Sequence, residues 1–356
     1  MFTAIILIAA AAALPAESSG IQVEPNTPTE GRWTISSDAY RMVLNLVSPR
    51  IDSFTAGDFS LIGEGMGLAP TINTGAPWGP AQATVAMAGP AVTHVVLYGM
   101  RWEKILTGDI QVHFFCYPNR VVARMDIIPH AAPPALHLGW VGQVTQVTSF
   151  PEGSESPDWQ SAFRTNYALM PAALLLPPLQ KGSEGRRGAH LRIEQGGLLN
   201  AHYVYNAHDI GTRSITCTLL AAEDESSLRD LLAHEIAIRR MQFDVTNGRY
   251  RKYDDTTGMH QFIMKPSAKT MTIKVTNGPV QHPLIAAVID QRRRNIRLST
   301  SQPNSTSAQW MPRRFNSETL SASDKPGAYV FPLEALPDGH SLRVQPKDST
   351  TVDSGS

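Results

Sequence analysis

Residues 200–209, NAHYVYNAHD, carry two histidines, two tyrosines, two asparagines and an aspartate within ten positions. An imidazole titrates close to neutrality, so it can take or give a proton at ordinary pH. His202 is on that ground a candidate general base or acid, and Tyr205 a candidate proton donor or acceptor at a leaving oxygen. His208 and Asp209 could orient one another or bind a sugar hydroxyl, with Asn206 beside them as a further contact. Arg164, in the stretch AFRTNY, brings a guanidinium able to hold a sugar carboxylate by two parallel hydrogen bonds. A base, a cation for the carboxylate and a proton donor are what a polysaccharide lyase needs. A hydrolase needs a pair of carboxylates instead. Glu64, Glu103, Asp109, Asp126 and Glu194 are all candidates, and nothing in the sequence selects two of them or distinguishes them from solvated charges at strand edges.

Local geometry limits this set. In a strand, successive side chains alternate faces and each residue advances ~3.3 Å. Asn200, His202, Val204 and Asn206 then share one face, and Tyr203 and Tyr205 the other. In a straight strand His202 and His208 stand roughly 20 Å apart. They meet only if the chain turns near Asn206, and NAHDIG supplies Asn, Asp and Gly for such a turn. Without the turn the stretch is a strand with ordinary polar decoration.

Apolar sugar faces stack on indole rings. Five of the six tryptophans, Trp33, Trp78, Trp102, Trp140 and Trp159, fall in the first half of the chain. Trp102 and Trp159 have polar neighbours and are the candidate platforms; Trp33 and Trp140 lie in apolar runs that suit a core. The run QRRRNIR (Arg292, Arg293, Arg294, Arg297) could meet an acidic polysaccharide or form a solvated strand end. Asp254-Asp255 is the one candidate calcium pair; no other metal site and no cofactor is predicted. GEGMG at 63–67 has the glycines of a phosphate loop without a helix pattern after it, so it is not read as one. Asn304-Ser305-Thr306 is a glycosylation sequon, with meaning only in a eukaryotic secretory pathway.

The totals narrow the class. The 31 basic and 31 acidic residues of the 356-residue chain cancel, which argues against a nucleic-acid binder. Gly and Pro number 26 each, and charged residues are only 17%, which fits short strands joined by turns. Residues 1–16, with an apolar run from Phe2 to Leu14 and then Pro15-Ala16, read as a signal peptide without a basic n-region. The run is short for a membrane span and no second one follows, so the expectation is a secreted or periplasmic protein. Cys116 and Cys217 lie in apolar runs, either paired or as buried thiols in neighbouring strands.

Periodicity supplies the elements. After a flexible leader at 17–30, a large β-sandwich domain is predicted over 31–222. Within it, YRMVLNLVS alternates, residues 57–90 need short strands of their own, and 92–129 reads as an antiparallel meander. LLNAHYVYN with RSITCTLLAA is expected to form a hairpin. The period then becomes helical over 223–241, with Leu228, Leu231, Leu232 and Ile236 on one stripe and Ser227/Asp230 as the start signal. β character returns over 242–345, with an Asn247-Gly248 turn, as a smaller β-sandwich domain; 346–356 reads as a disordered tail. The predicted class is mainly β: a large antiparallel β-sandwich, a connector helix and a smaller β-sandwich.

This order resembles the galactose-mutarotase-like supersandwich of carbohydrate-active proteins, over roughly Trp33 to Ala222. Mutarotases carry a His-x-Tyr-Phe-Asn stretch with a catalytic histidine. Here His202 and Asn206 keep the four-residue offset, while Tyr203-Val204-Tyr205 displaces the aromatic pair, so no catalytic role is transferred. The resemblance implies a protein that handles a polysaccharide or oligosaccharide in a broad cleft. Three readings stand: a polysaccharide lyase or hydrolase, a non-catalytic glycan-binding or envelope-associated protein, and a scaffold presenting its small sandwich to another protein.

Overall fold

The structure is a computed structural model. It describes residues 20–25, 31–63, 67–73, 75, 80–88, 92–100, 108–129, 136–143, 148–149, 166–169, 172–175, 186–193, 198–205, 213–277, 284–289, 296–300, 309–311, 315–316, 321–322, 328–333 and 341–346. Two wide sheets come first. The nine-stranded sheet runs in the order β1 (Gln22–Pro25), β2 (Arg32–Ser36), β3 (Arg41–Asn45), β4 (Arg50–Ala56), β6 (Leu68–Ile72), β11 (Leu136–Gln143), β16 (Leu198–Tyr205), β15 (Arg186–Ile193), with β5 (Phe59–Ile62) also paired to β4. The eight-stranded sheet runs β12 (Thr148–Ser149), β13 (Asn166–Leu169), β14 (Ala172–Leu175), β17 (Arg213–Ala221), β10 (Arg120–Pro129), β9 (Gly108–Tyr117), β8 (Thr93–Tyr98), β7 (Gln82–Met87).

Period-two alternation makes these two sheets into one sandwich. Met42, Leu44, Ile51, Phe54, Leu138 and Trp140 point inward from the first sheet and join Val95, Val112, Phe114, Val121, Met125 and Leu219 from the second in a single buried cluster. Trp140 and Phe54 are wholly buried, as core rings should be. Where β11 crosses β6 the backbones nearly touch. A Cβ on Gly142 would come within 2.1 Å of the Gly67 carbonyl oxygen, so only glycine fits.

After the sandwich comes α1 (Glu225–Arg239), the single helix among the described residues. Leu228, Leu231 and Leu232 are its buried stripe. Its N-cap is Asp224, whose carboxylate accepts from the Ser227 backbone N–H at 2.7 Å. The start therefore lies earlier than the Ser227/Asp230 signal implied, because an acidic side chain was already available to satisfy the free amide. Two smaller sheets follow: β18 (Gln242–Thr246), β21 (Met271–Asn277), β28 (Ser341–Pro346), β23 (Ile296–Thr300), and β19 (Gly248–Asp254), β20 (Met259–Met264), β22 (Leu284–Ile289), β27 (Ala328–Leu333), β24 (Gln309–Met311). A two-stranded pair, β25 (Phe315–Asn316) and β26 (Ser321–Ala322), stands apart. Tyr253, Phe262 and Met264 from one small sheet pack against Met271, Ile273 and Val344 from the other. The class is thus mainly β: a large antiparallel sandwich, one helix and a smaller sandwich. β20–β22 is the one parallel ladder described.

Three local expectations change. β16 and β17 are not a hairpin: β16 pairs with β11 and β15 in one sheet, β17 with β10 and β14 in the other. The Asn247-Gly248 turn exists, with Asn247 at φ 60°, but it links strands of different small sheets. Cys116 on β9 and Cys217 on β17 flank β10 rather than each other. Strands two places apart are separated by about 9.5 Å, beyond the Cα span of a disulfide. Both are free, buried thiols, and burial pushes Cys116 up to about 12.

The helix is tied to the sandwich by buried charge. Arg120, at the start of β10, pairs with Glu235 of α1, and its second nitrogen donates to the Gly258 carbonyl at 3.0 Å. Arg239 pairs with Glu235 at 3.1 Å and with Asp255 at 2.7 Å. Tyr117 donates to the Thr257 carbonyl from the same face. Burial alone would raise the Glu235 carboxyl, but the two guanidinium groups outweigh it and hold it below the usual range. Glu235→Ala strands Arg120 in the interior and should cost about 3–5 kcal/mol in urea unfolding. Asp224→Ala removes one capping bond from an exposed residue and should cost clearly less. Equal losses from the two variants would contradict the junction described here.

Candidate functional site

Of the predicted site residues, His202 and Tyr205 lie within the described strand β16. Arg164, Asn206, His208, Asp209, Trp102 and Trp159 lie outside the described residues, as do Arg292 to Arg294. The register of β16 settles one point. Position 202 sits opposite Gly139 of β11 and His190 of β15, and Gly139 sits opposite Thr71 of β6. Thr71, Gly139, His202 and His190 thus form one row across four strands. Leu138 and Trp140 project into the core, so alternation puts this row on the opposite, outer face. Tyr205 is registered with Leu136, a core residue. Positions 202 and 205 therefore fall on alternate faces of the strand, as the spacing alone implied.

A second constellation was not selected from the sequence. On the eight-stranded sheet, the residues that alternate with the core set are His94 on β8, Gln111, His113 and Phe115 on β9, Arg120, Arg124 and Asp126 on β10, and Ser214 and Thr216 on β17. Register brings them together: His94 opposite Phe115, His113 opposite Arg124, Asp126 opposite Ser214. His94 Nε2 lies 3.0 Å from His113 Nδ1. His113 Nε2 lies 3.4 Å from an Asp126 carboxylate oxygen, without hydrogen-bond geometry. Arg124 pairs with the same oxygen at 3.1 Å, and Ser214 donates to the other at 2.7 Å. His94 stacks on Phe115 with ring centroids 4.3 Å apart, and Arg124 covers that ring's other neighbourhood at 5.2 Å.

Both imidazoles are about 2% exposed. Burial holds both well below the ordinary histidine range, helped at His94 by His113 and then Arg124, and at His113 by Arg124. They are neutral at neutral pH. With Nε2–H of His113 turned toward Asp126, its Nδ1 accepts from His94, which leaves His94 Nδ1 as a lone pair with no hydrogen-bond partner. The order carboxylate, imidazole, imidazole is a proton relay in form. Its seal against solvent makes it a structural polar core rather than an open reaction centre. Asp126, one of the carboxylates named from sequence, is a paired member of this array and not a solvated edge charge. The signal that could have found it is period two: His94 and His113 both alternate with residues of the apolar set.

No group of three His, Cys, Asp or Glu among the described residues is placed to hold a metal ion. Asp254 accepts from Thr256 and from Gln261 at 2.6 Å, and Asp255 is engaged by Arg239. Both carboxylates have protein partners.

No family model matches the chain, and no curated protein matches it. Solved structures do superpose. A heparinase III aligns with a TM-score of 0.41 and 9% identity over 72% of this chain and 40% of its own. A heparan sulfate lyase HepC from Pedobacter heparinus gives 0.36 and 10% over 69% and 40%. A putative aldose 1-epimerase from Escherichia coli K12 gives 0.32 and 8% over 57% and 99%. The chain spans 40% of the length of the heparinase III it matches.

The histidine pair predicts an acid response. In the unfolded chain an imidazole titrates near pH 6.5, whereas in the folded chain both titrate lower. Below about pH 6.5 the unfolded state binds more protons, so the stability they confer is present above that pH and lost as pH falls through it. His94→Gln or His113→Gln should flatten the acid limb of urea-unfolding stability by about 1.4 kcal/mol per pH unit. Wild type and variants running parallel from pH 7 to pH 5 would show that protons reach the folded pair freely.

Proposed function

We propose that this chain is an exported carbohydrate-active protein that lays a glycan along the outer face of its nine-stranded sheet, with His202 as the proton-transferring group. The observation that carries the reading is the row Thr71, Gly139, His202, His190. Glycine has no side chain, so nothing projects from the row at 139, on the face away from the core; Thr71 and Gly139 are themselves buried. Of the histidines proposed from sequence, His202 is the one that lies within the described residues.

In the enzyme form of the proposal the reaction is elimination from an acidic polysaccharide. Arg164 neutralises the uronate carboxylate, which makes the neighbouring C–H acidic. His202 removes that proton, the C–O bond to the leaving sugar breaks, and a carbon–carbon double bond forms in the ring. His208 returns a proton to the departing oxygen. Asn206 and Asp209 contact hydroxyls, and Trp102 and Trp159 provide stacking faces. Export rests on residues 1–16. Among the described helices none is long and apolar enough to cross a membrane.

The non-catalytic reading would favour a flat face with exposed rings. Among the described residues the exposed large hydrophobics are Val47 and Val85, neither aromatic. The test is a panel of acidic and neutral polysaccharides, followed by ultraviolet absorbance for unsaturated ends and by an assay for reducing ends. Turnover with new unsaturated ends is expected, and His202→Ala should lower it about 10²–10⁴-fold. Undiminished turnover in that variant overturns the assignment of the base. Glycan binding with neither product leaves the binding reading in its place.

A further inference from the structure

The net charge of the chain is zero, but its described surface is not evenly mixed. Between Gln242 and Asn277 the exposed charged residues are Arg249, Arg251, Lys265, Lys269 and Lys274 against one acid, Asp244. Asp244 is the register partner of Lys274, so those two offset each other on the other small sheet. Asp254 is buried and taken up by Thr256 and Gln261, and Asp255 by Arg239. The excess positive charge therefore collects on β19 and the end of β20.

β19 reads Gly-Arg-Tyr-Arg-Lys-Tyr-Asp and forms the edge of its sheet among the described residues. Tyr253 packs in the small core, with Tyr250 against it. Arg249 is registered with Ile263 and Lys252 with Gln261, on the other face. A bulge falls between Tyr250 and Lys252, and Arg251 at that bulge donates to the Gln261 side chain at 3.3 Å. Lys265 follows β20 directly, and its amide bonds to the Asn247 carbonyl, just before β19 begins. Arg249, Arg251, Lys252 and Lys265 thus border one extended strip, with a rigid edge strand beneath them.

We infer that this strip is a docking surface for an anionic polysaccharide, carrying carboxylate or sulfate groups along an extended chain. The inference rests on the glycan reading above and adds to it a second point of contact for the acidic polymer, away from the nine-stranded sheet. An extended row of cations matches an extended row of anions, and both guanidinium and ammonium groups pair with carboxylate and sulfate oxygens. Cations on an edge strand also discourage pairing with another chain. The two roles separate by substitution: lysine and glutamate both block pairing, but only lysine keeps the charge.

The full-length chain is tested against dextran sulfate, polygalacturonate, uncharged dextran, and phosphatidylglycerol–phosphatidylcholine vesicles, at several salt concentrations. Wild type should bind the two acidic polymers and not dextran, with affinity falling steeply as salt rises. R249E/R251E should weaken binding roughly tenfold or more and reduce the salt dependence, and R249K/R251K should stay close to wild type. Both variants should remain folded, since these side chains are exposed. Equal binding by R249E/R251E and wild type overturns the inference, as does binding to vesicles but to neither acidic polymer. Turnover of short oligosaccharides is measured separately. If it depends on His202 while the β19 variants bind normally, this inference fails and the proposed function stands; the reverse pattern fails the function and keeps the surface.

Discussion

The guanidinium of Arg120 is buried, and a buried guanidinium must be paired and hydrogen-bonded or the fold loses several kcal/mol. That requirement organises the junction between the two sandwiches. Arg120 stands at the first position of β10, on the face away from the hydrophobic core, so its partners have to come from outside the large sandwich. Glu235 comes from α1 and the Gly258 carbonyl from the turn between β19 and β20. Glu235 in turn needs a second cation, which Arg239 supplies, and Arg239 takes Asp255 from the same turn. Each ion answers the one before it, and together they fix where the helix and the first small strands sit. An apolar junction would hold as well but would accept sliding; the directional bonds admit one position.

The same strand explains the histidine pair. β10 continues from Arg120 through Arg124 to Asp126, all on that outer face. Arg124 reaches across to Thr256 of the same turn, at 3.5 Å, so the turn that answers Arg120 also helps close over the neighbouring polar residues. Neutral imidazoles then suit the space: they bond to one another at lower desolvation cost than charged groups would, and they leave Asp126 to Arg124 and Ser214. Acid titration of the pair and integrity of the junction are therefore linked through Arg124 and the turn at 254–258.

What was legible in the sequence was whatever alternation alone decides. The strands of the meander, the burial of Trp140 and Leu228, and the change of period at α1 follow from side-chain spacing within one element. What was not legible depends on partner choice. β16 and β17 are adjacent in sequence and equally strand-like, yet they join different sheets. Cys116 and Cys217 were rightly read as buried in strands, but only the sheet order shows β10 between them. The array at His94 and His113 was missed because each histidine looks like an isolated polar residue in its own strand; register turns two isolated residues into a pair. The cap at Asp224 was overlooked for a simpler reason: a serine with an acid three residues on resembles a start signal, and an aspartate three residues earlier does the same work.

Sheet topology finally separates two sets of histidines that a sequence reading would treat alike. His94 and His113 are on the eight-stranded sheet and His190 and His202 on the nine-stranded one, each pair on the face turned away from the shared core. Packed sheets lie about 10 Å apart, and the strands that carry the two pairs belong to different sheets with the apolar core between them. No proton can pass directly from one to the other. The sealed pair acts on the rest of the molecule through the stability of the sandwich it belongs to. Removing the sealed pair should change how the protein withstands acid, while the intrinsic titration of any reaction at 202 stays its own. A pH–rate profile recorded below the unfolding range would then report the outer-face group alone.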